Sequence, residues 1–438
     1  MPQLNGASEL SSLVSLLKTI VGAGLMSIPL AFSTDGVVVG VLIVALAAIT
    51  SGYGLFLQAY VARFVPKGHA TFFNICSITY PALSVVFDTA IAVQCFGCAI
   101  SYLVLIGDLM PTIVETVPFV PSEHHRSFWI LASGVLCVPL SFLKNLDSLK
   151  YTSILGLVAI GYLALLVVCE YFFGHVSHKL RGEIVLVPSS LQGLFSTFSI
   201  VVFAYTGHQN MFSIINEAAN NSLPSMARLI NFAVLCASVL FILVGLTGYL
   251  TFGDKVGGNV ILLYPSSWYS TVGRVAIVFM VIFLFPLMLH PARISVNNIY
   301  FWIRTHIKTN QENAGSEEPV SSETSALLEA VPSRASLRPS PVVPFPDTTF
   351  YTISTILLVV GYTAAVTIKS FALVLAIVGA TGSTAISFIL PGLFGYKLIG
   401  SDTDEPTKQE HTLKYMSLAL VLWGFVVMVV CLYSSLAL

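Results

Sequence analysis

The chain has 438 residues, with 20 Lys and Arg, 21 Asp and Glu, a net charge of −1 and a mean hydropathy of +0.87. Charged residues are 9% of the chain, against about 25% in soluble domains, so an ordinary soluble enzyme is excluded and a polytopic membrane protein in a lipid bilayer is predicted. The near-zero net charge excludes a nucleic-acid partner, and seven cysteines describe neither a zinc nor a disulfide framework, so no cofactor is expected.

Eleven apolar stretches are long enough to cross about 30 Å of hydrocarbon as helices, which takes roughly 20 residues each. In chain order they cover residues 11–32, 36–64, 82–114, 127–143, 149–173, 191–215, 226–252, 272–290, 350–368, 372–398 and 413–436. The sequence therefore predicts an all-α fold of eleven transmembrane helices. Helices one to eight occupy residues 1–304, and helices nine to eleven occupy residues 347–438.

The loop charges predict the orientation of these spans, because cytoplasmic loops retain Lys and Arg. With the N-terminus in the cytosol, thirteen of the twenty Lys and Arg residues fall in inner loops and six fall in outer loops. We therefore expect a cytosolic N-terminus and a C-terminus on the other side of the membrane, in the lumen of an organelle.

Residues 305–346 are rich in Ser, Glu and Pro and have few large apolar side chains. This composition is typical of a disordered loop, and the charge count places it in the cytosol. Within it, Glu323 precedes Leu327 and Leu328 in the spacing of an acidic-dileucine sorting motif, which an adaptor protein would recognise. So short a pattern also arises by chance, and both interpretations remain open.

Two predicted spans contain residues that interrupt helices. Span one reads LLKTIVGAGLMSIPLAF and carries Gly22 and Gly24 in mid-membrane, with Pro29 soon after. Span six reads AYTGHQNMFSIINE and carries Gly207 among the polar residues Thr206, His208, Gln209 and Asn210. The first and sixth helices are therefore predicted to be broken, unless the glycines serve only close helix packing.

Two broken helices five spans apart point to a five-plus-five inverted-repeat transporter, with spans one to five and six to ten as the repeats. Free amides at the second half of span one favour a carboxylate, and carbonyls near Thr19 and Tyr205 favour an ammonium, so the predicted ligand is a zwitterionic amino acid. The predicted substrate-binding residues are Thr19, Gly22, Ala23, Gly24, Ser101, Tyr102, Tyr205, Thr206, Gly207, Gln209 and Asn210.

Segments 16–32, 87–111, 204–217 and 285–293 resemble the amino acid/auxin permease family, and most nearly its fungal vacuolar amino acid transporters. The resemblance implies secondary active amino acid transport, usually coupled to protons, from the lumen of a vacuole or lysosome to the cytosol. It implies no covalent chemistry. A plasma-membrane importer and a non-transporting amino acid sensor remain as alternatives. Gln94 departs from the basic residue expected at its position, which puts a charge-coupled role there in doubt.

The resemblance also bears on the coupling ion. Sodium-coupled relatives use an Asn in span one, where this chain has Lys18, and hydroxyls in span eight, where residues 275–290 contain no Ser, Thr, Asn or Asp. Protons are therefore the predicted partner, with Lys18, His208, Glu217 and Asp88 as candidate coupling residues. The alternatives are a snorkelling lysine, a core histidine, and interfacial carboxylates at Asp88 and Glu217.

Overall fold

The computed structural model describes residues 6–143, 150–174, 176, 180–188, 190–315, 344–402 and 405–437. These residues are almost all helical, and the β-type pairing found among them is an isolated bridge between Ala7 and Ala218. The all-α fold class is confirmed.

The first part of the chain forms eight helices, interrupted by short 3-10 turns. They are α1 (Glu9–Ile20), α2 (Ile28–Asp35), α3 (Val37–Val61), α4 (Phe72–Thr79), α5 (Ser84–Ile113), α6 (His125–Ala132), α7 (Gly134–Ser141) and α8 (Lys150–Phe173).

The second part also forms eight helices, which are α9 (Leu191–Ala204), α10 (His208–Glu217), α11 (Leu223–Phe252), α12 (Trp268–Gly315), α13 (Asp347–Thr367), α14 (Phe371–Val378), α15 (Leu390–Leu398) and α16 (Lys408–Leu436). Between α14 and α15 the helix widens into two π-helical segments, Gly379–Ser383 and Ala385–Ile389.

By length and composition, eight helices of the described ranges can cross a membrane, or nine when α1 is joined to the bent segment Ala23–Asp35. The predicted count of eleven is therefore not confirmed. The difference lies in predicted spans four and six, because each consists of two short helices rather than one continuous helix. Span four divides into α6 and α7, and span six divides into α9 and α10.

Two groups of loops define two ends of the helix bundle. Residues 6–9 lie beside the end of α10, where the amide of Ala7 donates to the carbonyl of Glu217 at 2.7 Å. We call this end the N-terminal face. At the other end, which we call the opposite face, the loop 180–188 meets the end of α11, where the amide of Gly182 donates to Phe252 O at 2.8 Å.

Two arginines, the half-buried Arg126 and the buried Arg293, tie helices together. Arg126 donates to Asp108 at 2.8 Å and to the carbonyl of Ile368, which joins α5, α6 and the end of α13. Arg293 is 1% exposed and donates to Ser141 O at 3.0 Å and Ser354 Oγ at 2.8 Å, so it joins α7, α12 and α13. The polar groups compensate the burial of each guanidinium.

Helix α12 is longer than the sequence predicts. Helix α12 continues to Gly315, so residues 305–315 are helical rather than disordered. The described chain resumes at residue 344. There Asn297 donates to Pro344 O at 3.2 Å and Phe345 packs on the core, which holds residues 344–346 against the bundle. The predicted sorting motif Glu323, Leu327 and Leu328 lies outside the described residues.

Candidate substrate site

Span one is broken where the sequence predicts. Helix α1 ends at Ile20, and Gly22 has extended φ and ψ angles of −111° and −153°. The chain then resumes as a 3-10 helix, Ala23–Ser27, which leads directly into α2. Pro29 lies in the first turn of α2, where a proline fits because no amide is needed there.

Span six is also broken. Helix α9 ends at Ala204, Tyr205 and Thr206 complete its last turn, and α10 starts at His208. The Thr206 amide donates to Phe203 O at 3.0 Å, and the Asn210 amide donates to Gly207 O at 3.2 Å. Gly207 therefore separates two half-helices whose backbone hydrogen bonds do not continue through the break.

The two breaks face each other. A Cβ placed on Gly24 would lie 3.0 Å from Ala204 Cα, and one on Gly207 would lie 2.9 Å from Ile20 Cγ1. The close approach of the two spans leaves little room for a side chain at Gly24 or Gly207, as the packing alternative for these glycines expects. The amide Nδ2 of Asn210 also donates to Thr19 Oγ1 at 3.4 Å. This contact links α1 and α10, the half-helices on the side of the N-terminal face, which we call the inner halves of the two broken spans.

Gly22 differs from the other glycines of the breaks, because a Cβ built on it meets no atom within 4 Å. Before the break in span one, Lys18 and Thr19 are half-buried, as are Gln209 and Asn210 after the break in span six, whereas Ala23 to Ile28, which follow Gly22, are buried. The break is therefore reached from the side of α1 and α10, which is the side of the N-terminal face.

The free groups at the breaks have complementary polarity. Ala23 and Gly24 open a 3-10 helix whose N-cap, Gly22, supplies no side-chain cap, so their amides lack helical partners. Gln209 Oε1 is buried and has no hydrogen-bond partner among the described groups. Donors at a helix start suit a carboxylate, and a lone carbonyl oxygen suits an ammonium.

Other predicted site residues use their side chains elsewhere. Tyr205 donates from its hydroxyl to Ser238 Oγ at 2.7 Å and packs edge-on against Phe241, so it turns towards α11. Thr206 Oγ1 donates to Val202 O at 2.8 Å, within α9. Ser101 is fully buried and donates to Cys98 O within α5, and its neighbour Tyr102 is 7% exposed. Within the described ranges, no hydrogen bond joins Ser101 or Tyr102 to either break.

His208 is fully buried and both of its ring nitrogens are engaged. Nε2 lies 3.1 Å from the carbonyl of Ser51, and Nδ1 lies 3.0 Å from Ser387 Oγ. Because a carbonyl only accepts, Nε2 carries a proton and donates to Ser51 O, and in a neutral imidazole Nδ1 then accepts from the Ser387 hydroxyl. Gln58 Nε2 also donates to the backbone carbonyl of His208 at 3.1 Å. His208 therefore joins α10, α3 and the second π-helical segment.

The remaining candidate coupling residues occupy three different environments. Lys18 lies in the last turn of α1, where a cation is favourable near the helix C-terminus. Asp88 is 8% exposed and accepts from Asn298 Nδ2 at 3.1 Å, so it is a buried hydrogen-bonded group rather than a solvated one. Glu217 is exposed at the end of α10.

Several polar contacts between spans are not predicted from the sequence. Ser383, in the first π-helical segment, donates to Gln94 Oε1 at 2.7 Å and so joins α5 to span ten. Asp35 and Thr197 form a further pair between α2 and α9. Single polar residues inside apolar spans were the available signal, but nothing in the sequence pairs residues so far apart.

Comparisons with known proteins identify the family of this chain. The sequence model of the family described as "Transmembrane amino acid transporter protein" matches residues 5–435. "Vacuolar amino acid transporter 7" of Saccharomyces cerevisiae is 40% identical and covers 98% of each chain. "Vacuolar amino acid transporter 6" of the same yeast is 40% identical over 99% of each chain, and "Vacuolar amino acid transporter 5" of Schizosaccharomyces pombe is 35% identical over 98% of this chain and 95% of its own. The family consists of transporters and not enzymes, and on these matches the chain belongs to the transmembrane amino acid transporter family, beside its fungal vacuolar members.

Proposed function

We propose that this protein is a proton-coupled secondary active transporter that moves amino acids from the lumen of a vacuole or lysosome to the cytosol. The observation that carries the proposal is the pair of broken helices that approach each other at Gly24 and Gly207, with space for an added atom at Gly22. The vacuolar location follows from the names of relatives that match nearly the whole chain.

In the proposed complex the amino acid lies beside Gly22. Its carboxylate accepts from the amides of Ala23 and Gly24, which have no helical partners, and the helix dipole adds to this attraction. Its ammonium donates to Gln209 Oε1 and to Thr19 Oγ1, near the C-terminal end of α1. Because Tyr205 and Thr206 direct their side chains away, they contribute through their backbone only.

The transport cycle exposes this site to each side in turn. Spans one to five and six to ten act as two inverted repeats, and span eleven, α16, stays peripheral. The N-terminal face is the cytosolic face in this proposal, which agrees with the excess of Lys and Arg in its loops. Residues on that side of the break are half-buried and residues on the other side are buried. In this proposal the structure therefore corresponds to a state in which the site is more accessible from the cytosol than from the lumen.

For coupling, the geometry favours Lys18 over the other candidates. Lys18 lies one residue from Thr19 at the break, whereas His208 has both ring nitrogens engaged and acts as a positioning residue. Asp88 joins α5 to α12, and Glu217 is exposed at the N-terminal face. A cation in this position occupies the place where sodium-coupled relatives are expected to hold their ion.

Uptake into reconstituted proteoliposomes tests the proposal. Labelled amino acids are offered with a proton gradient or a sodium gradient imposed separately, and we expect accumulation with the proton gradient. Sodium-driven, pH-insensitive accumulation would contradict proton coupling, and binding without flux would identify a sensor.

Localisation of the Leu327→Ala, Leu328→Ala double variant tests whether the sorting motif is used. Vacuolar residence that is unchanged in the double variant would show that the motif does not direct the protein there.

A further inference from the structure

A buried carboxyl lies at the end of span one on the opposite face. Asp35 is the last residue of α2, and its exposed fraction is 0%. Its Oδ1 accepts a hydrogen bond of 2.8 Å from Thr197 Oγ1 in α9. Asp35 therefore joins α2 to α9. These are the half-helices on the side of the opposite face, which we call the outer halves of the two broken spans.

A short segment seals this pair from the opposite face. Gly36 has a φ of +77°, which lets the chain turn sharply into α3, and a Cβ there would lie 2.5 Å from the carbonyl carbon of Leu186. The amides of Val37 and Val38 donate to the carbonyls of Val185 and Leu186 at 3.2 and 3.1 Å. The loop 180–188 thus lies directly over the end of α2.

The environment of Asp35 gives little support to a negative charge. Its second oxygen, Oδ2, has no hydrogen-bond partner in the described part of the chain. Neither α2 nor α9 carries another titratable residue. On α3 and α11, which pack here, Tyr249 bonds to Val185, Tyr53 and Tyr60 lie near the N-terminal face, Arg228 lies at the start of α11, and Cys236 is a half-buried thiol. Helix α16, which packs on α9, carries the buried thiol Cys431 and the exposed Tyr433 near this end. The loop residues Arg181, Glu183, Asp254 and Lys255 are exposed. A buried carboxylate with an unpaired oxygen is strongly disfavoured relative to the neutral acid.

Thr197 can serve both protonation states of its partner. Its hydroxyl lies 2.8 Å from Asp35 Oδ1 and 3.0 Å from the carbonyl of Gly193, but it has one proton to donate. A charged Asp35 accepts the hydrogen bond from Thr197. A protonated Asp35 donates its own proton to Thr197 Oγ1, and the threonine then donates to Gly193 O.

We propose that Asp35 is a proton-binding site that couples acidity on the opposite face to closure of α2 against α9. The role of that face as an acidic lumen rests on the function proposed above. When the outer halves separate, water reaches Asp35 and stabilises its charge. At acidic pH a hydronium ion transfers a proton to the carboxylate and becomes water, and the neutral acid can then be buried against Thr197 without an unpaired charge.

Hydrogen–deuterium exchange of the purified full-length protein tests the site without requiring transport. At acidic and neutral pH, after correction for intrinsic rates, peptides covering 28–38 and 191–204 should exchange several-fold more slowly in acid. Asp35→Asn, which mimics the neutral acid, should exchange slowly at both. Glu115→Gln, which alters an exposed carboxylate outside α2, α9 and the loop 180–188, should behave as the wild type.

Two results would overturn the proton site. One is a wild-type protein whose two peptides exchange equally at both pH values, a comparison that remains decisive even if Asp35→Asn does not fold. The other is a folded Asp35→Asn protein that keeps the wild-type pH difference. Absence of amino acid flux together with pH-dependent protection would count against the proposed function and leave the proton site standing.

Discussion

The side-chain amide of Asn210 donates to Thr19 Oγ1 at 3.4 Å, and this contact joins the inner halves of two spans that are 191 residues apart in the chain. On the other side of the breaks, Thr197 donates to Asp35 and joins the outer halves. The open space at Gly22 lies between these two contacts along span one. Movement of one pair against the other would therefore open the site to one side or the other.

Gly22 and Gly24 should respond differently to a larger side chain. Gly24→Val should lose about 1–3 kcal/mol of stability, because its branches would overlap Ala204 in a packed contact. Gly22→Ala meets open space, so its thermal unfolding in detergent should match the wild type while its KM for amino acid rises. Equal unfolding temperatures for Gly24→Val and the wild type would contradict the close approach of the two breaks.

Gln209→Leu should weaken substrate binding. The substitution removes the unpartnered oxygen proposed to accept from the ammonium, and a hydrogen bond to a charged group contributes about 1.5–3 kcal/mol, or roughly 10- to 100-fold in affinity. Equilibrium binding of a labelled amino acid to the purified protein measures this. Ser213→Ala, on the exposed side of the same helix, is the control and should bind as the wild type does. Unchanged affinity in Gln209→Leu would remove Gln209 from the site.

His208→Gln should lower stability by about 1–3 kcal/mol, since it disturbs hydrogen bonds to Ser51 and Ser387 in a fully buried position. The fraction that folds should keep its proton-driven uptake, because a positioning residue need not change its charge. Exposed His411→Gln provides the matched control for stability. If His208→Gln unfolds as the wild type does but loses proton-driven uptake, then His208 and not Lys18 is the coupling residue.

Lys18→Ala should abolish accumulation driven by an imposed proton gradient while leaving exchange of amino acids across the membrane at equal pH. The reason is that exchange needs the substrate site at the break, whereas accumulation also needs a charge that changes during the cycle. Lys18→Arg keeps the charge but does not release its proton, so it should behave like Lys18→Ala. Gradient-driven accumulation that survives in both variants would place the coupling proton elsewhere.

The breaks themselves are predictable from the sequence, but their partners are not. Glycine and proline within an apolar run mark Gly22, Gly24 and Gly207, since these residues weaken helices wherever they occur. The partners of His208, at Ser51 and Ser387, lie 157 and 179 residues away, and no local pattern pairs them. The split of span four into two helices also has no clear signal beyond Pro139, which lies inside α7 rather than at the break.

The electrostatic roles of single residues were harder still to predict. Asp88 suggests a solvated interfacial carboxylate by its position early in a span, yet packing of α5 against α12 buries it beside Asn298. Asp35 stands next to a glycine at a turn and resembles an ordinary loop residue in the sequence. Its burial depends on the loop 180–188 folding over the end of α2, which is a tertiary contact.

The most direct measurement of the central claim is substrate protection of a cysteine at Gly22. In a background with Cys169→Ser and Cys236→Ser, which removes the native cysteines that are not buried, Gly22→Cys should react with a water-soluble thiol reagent added from the N-terminal face. A transported amino acid should slow this labelling in proportion to its occupancy of the site. Labelling at the same rate with and without saturating amino acid would contradict a substrate site at the facing breaks.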